Sequence, residues 1–498
     1  MARELFIDNV WIDATGDSFK SVSPSTSAPD PEKVVWEGAS ATAADIELAF
    51  SAARRAFESW SELSFDERIA MARNFSAIVK ANAESFAETI SIEMGKPLWE
   101  SKTEVGAVAG KVELAIDALQ TRRSTTTTTL GEMNAVTRYK PHGVMGVLGP
   151  FNLPAHLPNG HIVPAILAGN TVVFKPSELT PQIGETMIKF WEQAGIPQGV
   201  INLVQGGRET GVSMVQAEEL DGLLFTGSSR AGIALNTALA SQPQKIVALE
   251  MGGNNPLIVH QCSDLKAAAY QTLLSAFITS GQRCTCARRL YLVDGSPSDR
   301  DANHQFLQEL SELITKVRVG FFDDPEEPFI GPVVNRETGI RLQTAQQDLI
   351  ARGAKSVVMM KKLRDCDALL SPGVLDVTDV ANVDDEELFG PLLQVFRVRS
   401  FEEAIQRSNR TKYGLSAGLI SDSRELYDLF IRKIRAGVVN WNRQTTGASG
   451  KLPFGGCGLS GNHRPSGYFA ADYCSFPVAS LESDTAELPE TAMTGIEL

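Results

Sequence analysis

A cysteine beside basic residues is the first feature of this sequence that could do chemistry. Cys284 follows the apolar run Leu273–Ile278, whose spacing predicts a helix, and it lies in the polar segment GQRCTC (281–286). A free thiol has a pKa of about 8.5, which a nearby cation or a helix N-terminus lowers. Arg283 and Arg288 are the candidate cations, so we expect Cys284 to be a nucleophile and not a buried structural cysteine.

Two further polar side chains follow predicted strands. Glu250 ends the apolar run 246–250, and Asn152 comes shortly after the run 144–148. Ligands of open α/β sheets bind in the crevice at the carboxyl ends of the strands. Glu250 is therefore a candidate general base or ligand-binding acid, and Asn152 a candidate donor to a developing oxyanion. Taken alone, each could instead be an ordinary turn or surface residue.

A glycine-containing junction between a predicted strand and a predicted helix is a candidate phosphate site. The segment FTGSSRAG (225–232) lacks the GxGxxG pattern, so by itself it is a weak nucleotide signal. Such a junction directs backbone N–H groups and a helix N-terminus toward an anion. The candidate ligand residues are Gly227, Ser228, Ser229, Arg230, Ala231 and Gly232.

The elements that must position these residues are strands alternating with helices. Helical spacing predicts helices over 42–60, with a capping box at Thr42 and Asp45, and over 66–94. Short apolar runs predict strands over 144–148, 171–174, 200–204, 223–225 and 246–250, and in a second series over 257–259, 290–293, 357–360, 392–395, 417–420 and 438–440. The sequence therefore predicts two α/β domains with mainly parallel sheets, which meet near residue 253 and form a cleft there.

Two segments depart from this pattern. The run of serine and threonine at 124–129 is either a flexible linker or, since threonine favours strands and 136–139 continues with a strand-like pattern, a projecting hairpin that pairs with another subunit. The acidic C-terminal segment 480–498 shows little periodicity, and we expect part of it to be mobile.

Composition and charge argue against several classes of protein. The chain has 498 residues and a net charge of −14, which disfavours nucleic acid and anionic membranes as partners. Its six cysteines lack a zinc-binding spacing and are too few for a disulfide scaffold, so no metal site is expected. No signal peptide or membrane-spanning stretch is visible, and a reducing cytoplasm is the compartment that we expect.

Taken together, the motifs resemble the aldehyde dehydrogenase superfamily. Their order is that family's order, over nearly the whole chain from residue 5 to residue 480. The motifs are FNLP (151–154), FKPSELTP (174–181), FTGS (225–228), LEMGG (249–253), GQRC (281–284), EELFGP (386–391) and PFGG (453–456). The resemblance implies two doubly wound α/β domains with a small β extension for oligomerisation. It also implies NAD-dependent oxidation of a small-molecule aldehyde.

The resemblance carries roles over to individual residues. Cys284 matches the family's nucleophile, Glu250 its general base and Asn152 its side-chain donor to the oxyanion. The residues that match NAD contacts are Lys175 and Glu178 for the adenosine ribose, Gly227 and Ser228 for the pyrophosphate, and Glu387 and Phe389 for the nicotinamide ribose and ring. Phe151 stands where the family usually has tryptophan, which should alter packing in the substrate channel and not the chemistry.

The family architecture implies boundaries for the domains. These are 1–121 and 142–253 for an NAD-binding domain, 254–459 for a catalytic domain, 122–141 and 470–485 for strands that pair subunits, and 486–498 for a tail. The implied assembly is a homodimer or a dimer of dimers.

A closer resemblance is to the branch of the family that oxidises N-succinylglutamate 5-semialdehyde in arginine catabolism. It rests on HLPNGHIVPA (156–165), VQGGRETG (204–211), ALEMGGNNPLI (248–258), GQRCTCARRL (281–290), GNHRPS (461–466) and AADYCSFPVASLES (470–483). This aldehyde carries two carboxylates, for which Arg283, the weaker candidate Arg443 and the loop Thr445–Ser449 are candidate ligands.

Three alternatives stay open at this stage. The same chemistry could act on another carboxylated aldehyde, such as succinate or glutamate semialdehyde. The acyl group could instead pass to CoA. Glu250 counts against this alternative, because a base that activates water would hydrolyse the acyl group before its transfer. A structural protein that lost activity is the third, although Cys284, Glu250 and Asn152 are all intact.

Overall fold

The computed structural model describes residues 4–25, 33–131, 133–488 and 493–497, and two seven-stranded sheets form its framework. In sheet order, the first sheet consists of Ile246–Met251, Gly222–Gly227, Val144–Leu148, Thr171–Lys175, Ile201–Leu203, Leu5–Ile7 and Val10–Ile12. The first five strands run parallel, and the two N-terminal strands extend one edge in antiparallel pairing.

Helices bury both faces of this sheet, because alternate residues of a strand point to opposite sides. Val172 and Phe174 enter one hydrophobic core, whereas Val173 enters another. The helices around the first sheet are Ala43–Glu62, Phe65–Ala81, Ala83–Met94, Leu98–Arg122, His156–Leu167, Pro181–Gln193, Arg208–Gln216 and Ser229–Leu239. All residues of the central strand Val144–Leu148 are buried, as expected for a sheet covered on both sides.

The first predicted helix is confirmed, whereas the second, predicted as one continuous helix, is wrong because it is interrupted. Ala43–Glu62 begins at Thr42, whose side chain forms the expected capping box with Asp45. The predicted helix over 66–94 is two helices, Phe65–Ala81 and Ala83–Met94. The break lies at Asn82, whose backbone leaves helical geometry at φ −107° and ψ 19° and whose side-chain amide donates to the carbonyl of Ile78.

The second sheet carries the remaining predicted strands. In sheet order it consists of Lys355–Val358, Gly373–Asp376, Leu392–Val398, Ala287–Val293, Asn255–Val259, Ser416–Ile420 and Val438–Trp441. All pairs are parallel except the first. Its helices are Leu265–Phe277, Pro297–Thr315, Arg336–Ala351, Phe401–Ser408 and Arg424–Lys433. The strand predicted to reach Met360 ends at Val358, because the Gln346 side chain bonds both backbone groups of Met360.

The Ser/Thr-rich run forms a hairpin and not a linker. Thr126–Leu130 pairs with Met133–Pro141, which in turn pairs with Ser475–Glu482, and every residue of Thr126–Leu130 is exposed at the sheet edge. The short helix Ala470–Tyr473 precedes the last strand. Within the predicted tail 486–498, residues 489–492 and 498 lie outside the described residues.

Three small antiparallel strand pairs complete the described strands. They are Ser18–Val22 with Val34–Ala39, Lys362–Leu363 with Cys366–Leu370, and Pro453–Phe454 with Ser466–Gly467. In the part of the chain that the structure describes, no helix combines the length and the apolar character needed to cross a membrane.

Candidate active site

A cleft of about 860 Å³ opens at the carboxyl edge of the first sheet and is closed from the other side by loops of the second sheet. Chain order in the first sheet reverses between Val144–Leu148 and Gly222–Gly227, since the strands after 148 continue to one side and those after 221 to the other. Such a switch point is where open α/β sheets bind ligands. The residues after these strands therefore face a common space.

The three predicted catalytic residues all line this cleft. Asn152 and Cys284 come from two separate loops and Glu250 from the end of the strand Ile246–Met251, and Asn152 and Glu250 are almost fully buried. The Asn152 side-chain amide donates to the carbonyl of Gln282 at 2.9 Å. Because an amide carries two N–H groups, this bond fixes Asn152 beside the cysteine loop and leaves a second donor for a ligand.

A constrained backbone presents Cys284. The short 3-10 helix Ile278–Gly281 leads into it, with positive φ at Thr279, Ser280 and Gly281. A turn then follows, in which the Cys286 N–H donates to the carbonyl of Arg283 at 3.0 Å. The turn separates the two cysteines, so that Cys284 lines the cleft whereas Cys286 is buried with its thiol on the carbonyl of Ile278.

The side chain of Asn255, which sequence reasoning did not select, anchors this turn through hydrogen bonds. Its side-chain amide donates to the carbonyls of Cys284, at 2.7 Å, and Cys286, at 2.9 Å. Its side-chain oxygen accepts the N–H of Ser416 at 2.9 Å. No local signal marks Asn255, because its partners lie far along the chain.

Arg288 lowers the pKa of the Cys284 thiol, as expected of a basic neighbour, but other groups outweigh it. Burial, followed by the carboxylates of Glu387 and Glu250, raises the pKa of the Cys284 thiol, and Arg288 offsets only part of this. The other expected cation, Arg283, donates to Glu100 at 2.8 Å, so its charge is already compensated. The thiol is therefore protonated near neutral pH and needs a base before it can attack.

Glu250 has the properties of such a base. Burial raises its pKa to about 8, although the backbone N–H of Ser466 donates to Oε1 at 3.1 Å. Its Oε2 is buried and accepts no hydrogen bond from the described residues. A carboxylate with a pKa near the working pH and an oxygen that is free of hydrogen bonds can take a proton from a thiol or from water.

The predicted phosphate junction is a helix N-terminus at the cleft. Gly227, Ser228 and Ala231 line the cleft, and the Ser228 hydroxyl caps the helix Ser229–Leu239 by accepting the N–H of Ala231 at 3.3 Å. The other predicted residues of this segment lie outside the lining. Ser229 is hydrogen-bonded to the Tyr413 hydroxyl, and Arg230 is exposed. Gly232 packs so closely against Met251 that a Cβ would clash with its side chain.

The remaining predicted cofactor residues lie at two places along the cleft. Glu178 lines it, whereas Lys175 is buried behind it, 3.7 Å from the Glu178 carboxylate. Glu387 lines it further along, accepts the N–H of Gly253 at 3.0 Å and has a pKa raised to about 6 by burial. Phe389 packs edge-on against Phe151.

The two arginines proposed for substrate binding differ in placement. Arg283 lines the cleft, but its guanidinium donates to Glu100 and to the Thr279 hydroxyl. Arg443 is exposed and outside the lining, so the structure does not support its predicted role. Thr446 and Ser449 from the predicted loop do line the cleft.

Comparison with known proteins agrees with this architecture. Residues 11–476 match the aldehyde dehydrogenase family, and this chain belongs to that family of oxidoreductases. The fold is shared with a crystal structure of an NAD-dependent aldehyde dehydrogenase from Sinorhizobium meliloti, at a TM-score of 0.89 and 28% identity over 98% of this chain and 96% of that chain. The predicted fold class is thus confirmed.

Two curated relatives are more similar in sequence. The N-succinylglutamate 5-semialdehyde dehydrogenase of Pseudomonas fluorescens (strain Pf0-1) is 49% identical, with all of both chains covered. The protein of the same name from Burkholderia multivorans is 47% identical, with 99% of each chain covered. Their full-length similarity agrees with the closer resemblance seen in the motifs.

Proposed function

We propose that this protein oxidises N-succinylglutamate 5-semialdehyde to N-succinylglutamate, with NAD as the oxidant and a thioester on Cys284 as the intermediate. The convergence of Cys284, Glu250 and Asn152 on one cleft carries the chemistry. The choice of aldehyde rests on the two full-length relatives of that name. A cytoplasmic location is proposed with it, because the mechanism needs a reduced thiol.

One arm of the cleft fits NAD. Glu178 presents a half-exposed carboxylate to ribose hydroxyls, and the N-terminus of Ser229–Leu239 directs N–H groups toward a pyrophosphate. Glu387 and Phe389 also line the cleft and are the proposed contacts of the nicotinamide end. Gly252 leaves room for Glu387, since a Cβ there would clash with its carboxylate. When bound, NAD supplies the acceptor for the hydride that the aldehyde carbon loses.

The chain's own residues prepare the aldehyde for oxidation. Glu250 takes the proton of the Cys284 thiol, and the sulfur then forms a bond to the carbonyl carbon. The carbonyl oxygen gains negative charge, which the free N–H of the Asn152 amide and the Cys284 backbone N–H stabilise. After oxidation the acyl group remains on Cys284 as a thioester.

Hydrolysis of this thioester returns the enzyme to its starting state. After Glu250 has released the thiol proton to solvent, it removes a proton from water, the water oxygen bonds to the acyl carbon, and the bond from that carbon to the Cys284 sulfur breaks. The leaving thiolate regains a proton, and the product is the carboxylate. Because Glu250 supports hydrolysis, transfer of the acyl group to CoA is the weaker alternative.

The test is a panel of semialdehydes assayed by NADH formation. We expect kcat/KM for N-succinylglutamate 5-semialdehyde to exceed that for succinate or glutamate semialdehyde by at least about 10-fold. Each of these two lacks one of the two carboxylates, and a site built to bind a polar group rejects analogues without it. CoA should not change the product.

NADP should be the poorer cofactor, because Glu178 would repel a 2′-phosphate. A higher kcat/KM with another aldehyde, or equal kcat/KM with NAD and NADP, would contradict these assignments.

The proposed assembly is a homodimer or a dimer of dimers. The three-stranded sheet leaves Thr126–Leu130 as an exposed edge and carries exposed apolar side chains, among them Leu130 and Leu481. Exposed strand edges of this kind pair with other strands unless they are protected.

A further inference from the structure

The helix Leu98–Arg122 forms one wall of the cleft and carries several charges into it. The residues on its cleft-facing side recur every three or four positions, as one face of a helix requires. They are Glu100, Thr103, Glu104, Ala107, Gly110, Lys111 and Leu114. Three of these side chains are ionisable and nearly fully buried, so their pairing decides the charge of the wall.

Both glutamates of this wall are already compensated. Glu100 accepts from Arg283 at 2.8 Å. Glu104 accepts from Lys96 at 2.6 Å, and its other oxygen accepts the backbone N–H groups of Ala155 and His156. Both oxygens of Glu104 are occupied. Glu100 keeps one buried oxygen, Oε2, without a hydrogen-bond partner among the described residues, but Arg283 balances its charge.

Lys111 is the cation that remains. It is 5% exposed, and its ammonium donates to the carbonyl of Gly467 at 2.9 Å. Among the described residues no carboxylate forms an ion pair with it, and burial lowers its pKa to about 8. A buried ammonium with unused donors is costly unless a counter-charge binds it.

The surroundings of Lys111 leave space for a bulky ligand. Gly110 and Gly160 both line the cleft, and a Cβ on either would meet no atom within 4 Å. His156 lines the same region, and its Nδ1 is buried without a hydrogen-bond partner among the described residues. Burial lowers the pKa of His156 to about 4, so its ring is neutral and can donate one N–H.

We propose that Lys111 binds a carboxylate of the aldehyde substrate, with His156 as a second donor, and that Lys111 is the main determinant of specificity for anionic semialdehydes. The inference rests on the proposed function for the identity of the substrate. It replaces Arg283 and Arg443 in this role, because Glu100 compensates the first and the second lies outside the cleft.

A purely structural role for Lys111 predicts something different. Gly467 follows Ser466, whose N–H holds Glu250. If Lys111 served only to position this segment, its loss would disturb Glu250 and slow turnover of every aldehyde. If Lys111 instead binds the substrate carboxylate, its loss would raise KM for charged aldehydes alone.

The test compares variants of Lys111 on a charged and an uncharged aldehyde. Lys111→Gln keeps a donor for the Gly467 carbonyl, Lys111→Met replaces the charge with an apolar chain, and Lys111→Arg keeps the charge. The matched control is Lys102→Gln, since Lys102 lies on the same helix, is 45% exposed and does not line the cleft. Thermal unfolding of each variant identifies those that fold. The comparison can be made with either of the two neutral variants, so it does not depend on both of them folding.

We expect Lys111→Gln and Lys111→Met to raise KM for N-succinylglutamate 5-semialdehyde at least about 30-fold, because a buried charge pair is lost. The same variants should raise KM for a linear uncharged aldehyde less than about 3-fold. Lys111→Arg should restore most of the difference, and Lys102→Gln should match the wild type. Binding of the product N-succinylglutamate, measured by calorimetry, should weaken in parallel.

Equal changes for the charged and the uncharged aldehyde, or a fall in kcat with KM unchanged, would overturn the proposal. If the wild type does not act on N-succinylglutamate 5-semialdehyde, the proposed substrate is wrong, and succinate semialdehyde with butanal becomes the test pair. A selective rise in KM for succinate semialdehyde would then still support Lys111 as the carboxylate ligand, and no selectivity would refute it.

Discussion

Cys284 and Cys286 lie two positions apart but have different environments. Cys284 lines the cleft, whereas Cys286 is buried beneath the turn with its thiol on a backbone carbonyl. We expect Cys284→Ala to abolish aldehyde oxidation and Cys286→Ala to retain most of it, measured by NADH formation with both variants checked for folding. Full activity in Cys284→Ala would contradict the proposed nucleophile.

Glu250 should impose a pH dependence on hydrolysis of the thioester. The general base acts when deprotonated, and burial raises its pKa to about 8, so the hydrolysis rate should rise between pH 7 and pH 9. Glu250→Gln should remove this rise. It should slow the first NADH, because Glu250 also takes the thiol proton, and slow hydrolysis still more, so that about one NADH per active site forms before turnover nearly stops. The measurement is stopped-flow NADH formation across pH, and steady turnover without a burst in the variant would exclude Glu250 from this role.

At the scale of the secondary-structure elements, the active cysteine depends on a strand of the second sheet. Asn255 begins the strand Asn255–Val259, and its amide bonds both carbonyls of the cysteine turn. Asn255→Ala leaves buried groups unpaired, which should cost about 2–3 kcal/mol of unfolding free energy and lower kcat at least about 10-fold through misplacement of Cys284.

A matched control separates these two effects. Asn303 is also buried and donates to the carbonyl of Val293, and neither residue lines the cleft. Asn303→Ala should lose similar stability in chemical denaturation and keep kcat. If Asn255→Ala kept kcat as well, the turn would not depend on this amide.

At the scale of the whole molecule, the exposed three-stranded sheet predicts association. Leu130 is 51% and Leu481 is 67% exposed, both on this sheet. We expect the wild type to be a dimer or tetramer by light scattering, and Leu130→Asp with Leu481→Asp to shift it toward the monomer, because a charge opposes burial of the strands in an interface. Leu488→Asp is the control, since Leu488 is 78% exposed but lies outside the sheet. A monomeric wild type, or an unchanged mass in the double variant, would contradict the proposed interface.

Much of the framework could be predicted from the sequence, because short-range rules determine it. The alternation of apolar runs and helical spacing located most strands of both sheets, and a local capping box located the start of Ala43–Glu62. The strands Leu5–Ile7, Val10–Ile12 and Gly373–Asp376 were not predicted. Asn152, Glu250 and Cys284 could be selected by their positions after predicted elements and by family motifs, and they do line one cleft. Errors arose where a side chain competed with the local pattern, as at Asn82.

The sequence by itself determined which residues carry the chemistry, and the tertiary structure decided the electrostatic state of each one. Arg283 looked like the cation that activates Cys284, but the fold pairs it with Glu100, nearly two hundred positions earlier in the chain. Lys111 drew no attention in the sequence, yet the fold buries it at the cleft without a carboxylate partner among the described residues. Motifs reflect residue types and local spacing, whereas burial and pairing depend on contacts between distant segments, and these set the pKa and the free charge of a side chain.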